Sequence, residues 1–132
     1  MENARETHDM EKLDKIFMMQ KAFNDELISR RGLDGIAMEQ WQQMYTLAML
    51  SEMAELIDEV NFKWWKNPKP VDSDRVKEEL VDILHFFVSM CIKAGMDADE
   101  LYERYMQKNQ ENFDRQHGRS AKAGYALNQQ AD

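Results

Sequence analysis

The chain has 132 residues, the size of one domain. Lys plus Arg total 17 against 25 for Asp plus Glu, a formal charge of −8. That balance excludes a duplex-DNA binder with a basic footprint, but not a nucleotide substrate, because bound divalent cations invert a local field. One cysteine, Cys91, excludes an intrachain disulfide and fits a reducing compartment. It lies in the apolar run FFVSMCI and reads as a core filler. Residues 1 to 15 are charged and carry no apolar leader, and no apolar stretch approaches the ~20 residues that span a bilayer.

The periodicity predicts four helices and no strand. The first runs from about Asp9 to Arg31, with Gly32 as its stop. Leu13, Ile16, Phe17, Phe23 and Leu27 form one apolar face, and Gln20 and Asn24 fall inside that stripe. Two amides on an apolar face need partners. They either make an inter-helix hydrogen bond or line a pocket.

After the connection GLDGIAM, the second helix is expected from about Glu39 to Trp64 or Lys66, where KNPKPVD stops it. Between Met44 and Val60 it is apolar almost all round, except on the side carrying Ala48, Glu52, Glu55 and Glu59. Such a helix is expected to be buried. The third starts near Ser73, expected as N-cap, and ends at Gly95, with Glu79, Asp82, His85 and Phe86 on one face. The fourth opens at Asp97 with the capping-box pattern DADE and runs to about Arg115 or Gln116. Residues 1–8 and about 118–132 read as flexible tails of a single domain.

Four carboxylates carry the chemistry. Glu52 and Glu55 form one acid-x-x-acid step, and Glu79 and Asp82 form another on a separate helix. If the two helices pack side by side, the acids converge and need cations to stay ionised. An all-oxygen set suits Mg²⁺ or Mn²⁺, ions that commonly hold phosphates. Asp82-x-x-His85 is the only acid-x-x-His step on the two acid-bearing helices, so a redox di-metal bundle fits poorly. Lys63-Trp64-Trp65-Lys66 follows the first acid pair, and one Trp of two adjacent ones is expected over a cavity or an interface. Lys108, Asn112 and Arg115 share a face of the fourth helix, where cations answer the helix dipole or grip phosphates.

E-x-x-E followed by E-x-x-D on neighbouring helices resembles the all-α nucleoside triphosphate pyrophosphohydrolases, which include MazG-like proteins and dimeric dUTPases. KWWK, VDILHF, MQKAFN and YMQKNQENFDRQHG are similar to the dimeric dUTPase and dCTPase-dUTPase branch, over roughly residues 12 to 125. The resemblance implies a four-helix bundle-like all-α subunit, completed as a homodimer and a minimal version of its longer members. It implies that Glu52, Glu55, Glu79 and Asp82 bind Mg²⁺, with Glu52 activating water. Gln20 and Asn24 would sit beside a pyrimidine with Trp64 near it, and Lys63 would contact the substrate. His85 and Phe86 would flank the deoxyribose. Lys108, Asn112 and Arg115 would hold phosphates, and Tyr125 would help close the site.

The implied activity is hydrolysis of dUTP to dUMP and pyrophosphate, in the cytoplasm or that of a host cell if phage-encoded. No nucleic-acid or membrane partner is expected. The same chemistry on dCTP, or on a broad MazG-like range, is the nearest alternative. From another class, the chain could be a non-catalytic helical partner-binding protein. The family's tail typically carries a glycine-rich GY segment and an acidic-Asn motif, where this chain has GRSAKAGYAL.

Overall fold

The computed structural model describes residues 10–127 and contains four helices, with no strand among the described residues. They are α1 (Lys12–Arg31), α2 (Met38–Glu59), α3 (Ser73–Lys93) and α4 (Ala98–Gln116). The expected start at Asp9 and the tail over residues 1–8 lie outside the described residues. The chain divides into two compact units, one ending at Asp97 and one beginning at Ala98.

In the first unit, α3 packs against both α2 and α1. The ends of α1 and α3 are set by glycine. Gly32 and Gly95 adopt φ of 64° and 76°, a left-handed conformation that costs a side chain-bearing residue more. Each lets the following amide turn back: Leu33 N donates to Ile28 O at 2.9 Å, and Met96 N donates to Cys91 O at 2.9 Å. The N-cap of α3 is Asp72 rather than the expected Ser73. Asp72 Oδ1 accepts from the backbone N–H groups of Asp74 and Arg75 at 3.1 and 3.3 Å, and Ser73 becomes the first helical residue.

α2 ends at Glu59, short of the expected Trp64 or Lys66. The reason is Asn61, which takes a left-handed φ of 57°. Its side chain then clamps the turn: Nδ2 donates to Lys69 O at 2.7 Å and Oδ1 accepts from Lys69 N at 3.0 Å. Asn tolerates this conformation, and its amide imitates a peptide partner. Trp64 and Trp65 therefore sit in a turn, packed edge to face with centroids 4.6 Å apart.

The core of this unit is small. Phe17, Trp41, Tyr45, Val88 and Cys91 are buried, together with the polar Gln20 and Ser89. Trp41 stacks on Tyr45 at 5.2 Å, and Lys93 lies 5.0 Å over the Trp41 ring. Burial pushes the Cys91 thiol up, as suits a core filler. The expectation that α2 is buried does not hold within this unit. Leu47 and Leu50 remain 65% and 56% exposed, and Met53 and Ile57 are exposed beside them. The two other helices of this unit are too few to cover every apolar side of α2.

In the second unit, α4 is laced by Arg104 to Glu100 and by Arg115 to Glu111, at 3.0 and 3.1 Å. Part of the segment expected to be a flexible tail is tied to this helix. Ser120 Oγ donates to Glu111 Oε1 at 2.7 Å, Arg119 pairs with Asp114 at 3.2 Å, and the Tyr125 ring lies 5.5 Å from the Arg115 guanidinium. Residues 128–132 lie outside the described residues.

Asn61 gives a direct test of the turn. Asn61→Ala should destabilise the protein by about 2 kcal/mol, from lost hydrogen bonds and left-handed strain. Asn61→Gly, which keeps the backbone freedom, should lose less. Urea unfolding of the two variants measures the difference.

Candidate active site

The acid-x-x-acid steps place Glu52 and Glu55 one turn apart on α2, and Glu79 and Asp82 one turn apart on α3. The packing of α2 on α3 draws three of them together. Glu52, Glu55 and Glu79 each offer an oxygen, and the three oxygens lie within 4.8 Å of one another. Asp82 is outside this trio, yet its charge still bears on Glu52.

Among the described residues no ion pair reaches any of the four acids. Lys63 and Arg75 are engaged by other carboxylates, Asp58 at 3.3 Å and Glu59 at 3.4 Å. Burial pushes the Glu79 carboxyl up to about 7, helped by a hydrogen bond with Glu52 and by the charge of Glu55. Glu52 is raised too, first by burial and then by the charges of Glu55 and Asp82, while the bond to Glu79 works against this. A proton held on Glu79 and shared with Glu52 thus relieves part of the repulsion. No protein donor reaches Glu52 Oε2 or Glu79 Oε2, although both atoms are buried. Buried oxygens without donors, in an all-carboxylate set, fit a hard divalent cation such as Mg²⁺ or Mn²⁺.

Beside the acids a cavity of about 640 Å³ opens between α1, α2 and α3. Of the residues singled out in the sequence, Gln20, Asn24, Glu52, Asp82, His85 and Phe86 line it. Gln20 and Asn24 do both things expected of them as alternatives: they bridge helices and they face the cavity. Gln20 Nε2 donates to Asn24 Oδ1 at 2.9 Å, and Asn24 Nδ2 donates to Ser89 Oγ on α3 at 3.0 Å. His85 Nδ1 donates to Gln20 Oε1.

Sequence reasoning missed Arg31, Trp41, Tyr45 and Ser89, which line the same cavity, and placed Phe23, which lines it too, only on the apolar face of α1. Spacing could have found three of them. Trp41 and Tyr45 precede Ala48 and Glu52 at 4-3-4 intervals on α2, and Ser89 follows His85 by one turn. Burial raises the Tyr45 phenol above its ordinary value, partly opposed by a hydrogen bond with Ser89, so the hydroxyl stays neutral.

Lys63 and Trp64 do not line this cavity. Lys63 edges a separate hollow of about 290 Å³ with Asp58 and Asn61, and Trp64 is 85% exposed on the turn after α2. Lys108, Asn112, Arg115 and Tyr125 belong to the second unit. There Lys108 and Asn112 are exposed, and Arg115 lies between Glu111 and the Tyr125 ring.

Among the described residues, four helices without a strand carry paired acids on two packed neighbours, an arrangement consistent with the all-α nucleoside triphosphate pyrophosphohydrolases. More narrowly, the chain belongs to the dUTPase family of the all-α type, whose pattern matches residues 12–97. It is 47% identical over 47 residues to a "dCTP pyrophosphatase" of Enterobacteria phage T4, covering 36% of this chain and 28% of that protein. It is 41% identical over 58 residues to a "dCTP pyrophosphatase" of Enterobacteria phage LZ5, covering 44% and 34% respectively. A "DNA replication protein" of phage T4 is 45% identical over 40 residues, 30% of this chain and 10% of that protein. The chain thus spans about a third or less of the length of these curated relatives. No solved structure matches it.

The acid cluster predicts a pH dependence when divalent cations are absent. Glu79 binds its proton more tightly folded, at about 7, than at its ordinary 4.5. The resulting stabilisation is complete below 4.5 and is lost as pH rises through about 7. Thermal melts in EDTA should fall between pH 5 and pH 8, and Glu79→Gln should flatten that slope.

Proposed function

We propose that this protein hydrolyses a pyrimidine deoxynucleoside triphosphate to the monophosphate and pyrophosphate, with dUTP as the substrate read from its sequence. The single observation that carries this reading is the juxtaposition of the three-carboxylate cluster with the amide- and aromatic-lined cavity. Membership of the dUTPase family supports the reaction type. The relatives named dCTP pyrophosphatase support dCTP equally as the substrate.

In this reading Glu52, Glu55, Glu79 and Asp82 hold Mg²⁺. The bound cation would neutralise charge on the phosphates and lower the pKa of water. Glu52, the carboxylate that belongs to both the cluster and the cavity wall, accepts the proton of the attacking water. Gln20 and Asn24 meet the base, and His85 and Phe86 meet the sugar. Lys108, Asn112 and Arg115 hold phosphates, with Lys63, Trp64 and Tyr125 as further substrate contacts. Position and field do the catalytic work, and no covalent intermediate forms.

The subunit acts as a homodimer in the cytoplasm, or in that of a host cell. The uncovered apolar side chains of α2 support the dimer, since contiguous exposed apolar surface of this kind marks an interface. No described helix is long and apolar enough to cross a membrane.

A panel of dUTP, dCTP and other nucleoside triphosphates, with and without Mg²⁺ and read by pyrophosphate release, tests the function. Turnover of one pyrimidine deoxynucleotide only with Mg²⁺ is expected, and Glu52→Gln should lower it by about 10²-fold or more while the protein stays helical. A non-catalytic partner-binding protein would release no pyrophosphate, and its melting temperature would ignore Mg²⁺ with a non-hydrolysable analogue. Light scattering at micromolar concentration should give twice the subunit mass; a compact monomer would contradict the dimer.

A further inference from the structure

Ser89 is 1% exposed in the middle of α3, and its hydroxyl has no part in the proposed function. It closes a ring of hydrogen bonds. His85 Nδ1 donates to Gln20 Oε1, Gln20 Nε2 donates to Asn24 Oδ1, and Asn24 Nδ2 donates to Ser89 Oγ. Ser89 Oγ–H then donates to the His85 backbone carbonyl at 2.7 Å. The ring joins one face of α1 to one face of α3, and every member but the carbonyl is a side chain lining the cavity.

The side-chain part of such a ring can run in two directions. An amide has a donor end and an acceptor end, a hydroxyl has one proton, and a neutral imidazole has one N–H. In the reverse direction Ser89 would donate to Asn24 Oδ1 and Asn24 Nδ2 to Gln20 Oε1. Gln20 Nε2 would then donate to a bare Nδ1 of His85, whose proton would sit on Nε2. Both directions satisfy all three side-chain links. They differ in what the cavity wall shows a ligand.

The choice is made by Ser89. Its only proton goes to the carbonyl one turn back along α3, a bond available to a helical serine. Towards Asn24, and towards the Tyr45 hydroxyl that also meets it, it can then only accept. That turns the Asn24 amide so that its NH₂ faces Ser89, which turns Gln20 and in turn places the His85 proton on Nδ1.

We propose that Ser89 is a positioning residue that sets the direction of this ring. It thereby presents His85 Nε2 as a hydrogen-bond acceptor and fixes on which side each amide of Gln20 and Asn24 keeps its free N–H and its free oxygen lone pair. The ligand group that meets His85 is then an O–H or N–H donor. Such donors occur on a pyrimidine deoxynucleoside. The ligand assignment rests on the proposed function; the ring direction does not.

The test reads the histidine directly. In protein without nucleotide, the ¹⁵N and ¹³C ring signals of His85, assigned by their loss in His85→Gln, report which nitrogen carries the proton. The wild type should show the Nδ1–H form. Ser89→Ala should lose that single form and shift towards Nε2–H, with kcat/KM falling about tenfold, mainly through KM. Asn24→Ala breaks the same relay from the other helix and should shift the tautomer likewise, which keeps the test decisive if Ser89→Ala fails to fold. An Nε2–H wild type, or an unchanged tautomer in a folded variant, overturns the proposal. Absence of activity on every nucleotide would sink the proposed function and leave the tautomer result standing.

Discussion

Mutual repulsion among acids is the constraint on which this molecule turns. Three carboxylate oxygens lie within 4.8 Å of one another, and no described cationic side chain answers them. In a partly buried setting that arrangement is unstable unless something positive enters it. A proton on Glu79 is the weak solution, visible as its displacement to about 7. A divalent ion is the strong one, and the two buried oxygens without donors are where it would be felt. The fold tolerates the cost because the acids are carried by the two helices whose packing builds most of the first unit. Strain of this kind belongs at sites that act.

The same two helices also explain the polar wall opposite. α1 does not contribute acids; it contributes Gln20 and Asn24 to an otherwise apolar face. Their amides find partners in each other, in His85 and in Ser89, so the contact between α1 and α3 is polar at its centre. A cavity results that is acidic at one end, amide-lined at another and aromatic at Trp41, Tyr45 and Phe86.

Much of the fold was legible from the chain. Glycines after α1 and α3 announced their ends, and the apolar period announced four helices and no strand. What escaped was local side-chain chemistry acting against periodicity. Asn61 ends α2 in the middle of a pattern that continues past it, because its side chain reaches eight residues on to Lys69. Asp72 outcompetes Ser73 as the cap by one position. In the site, charged residues inside apolar runs were conspicuous, so the acids could be named in advance. Ser89 and Tyr45 carried a weaker mark: they keep helical spacing with His85 and Glu52, but a hydroxyl acquires a role only through a neighbour on another helix.

The tryptophans stand in contrasting surroundings. Trp41 is 6% exposed against the cavity and stacked on Tyr45, whereas Trp64 is 85% exposed on a turn. Ultraviolet emission from the chain therefore has one shielded source beside the pocket and others open to collisional quenchers. Iodide or acrylamide would silence the outer signal first, leaving an intrinsic optical readout of occupancy that requires no dye.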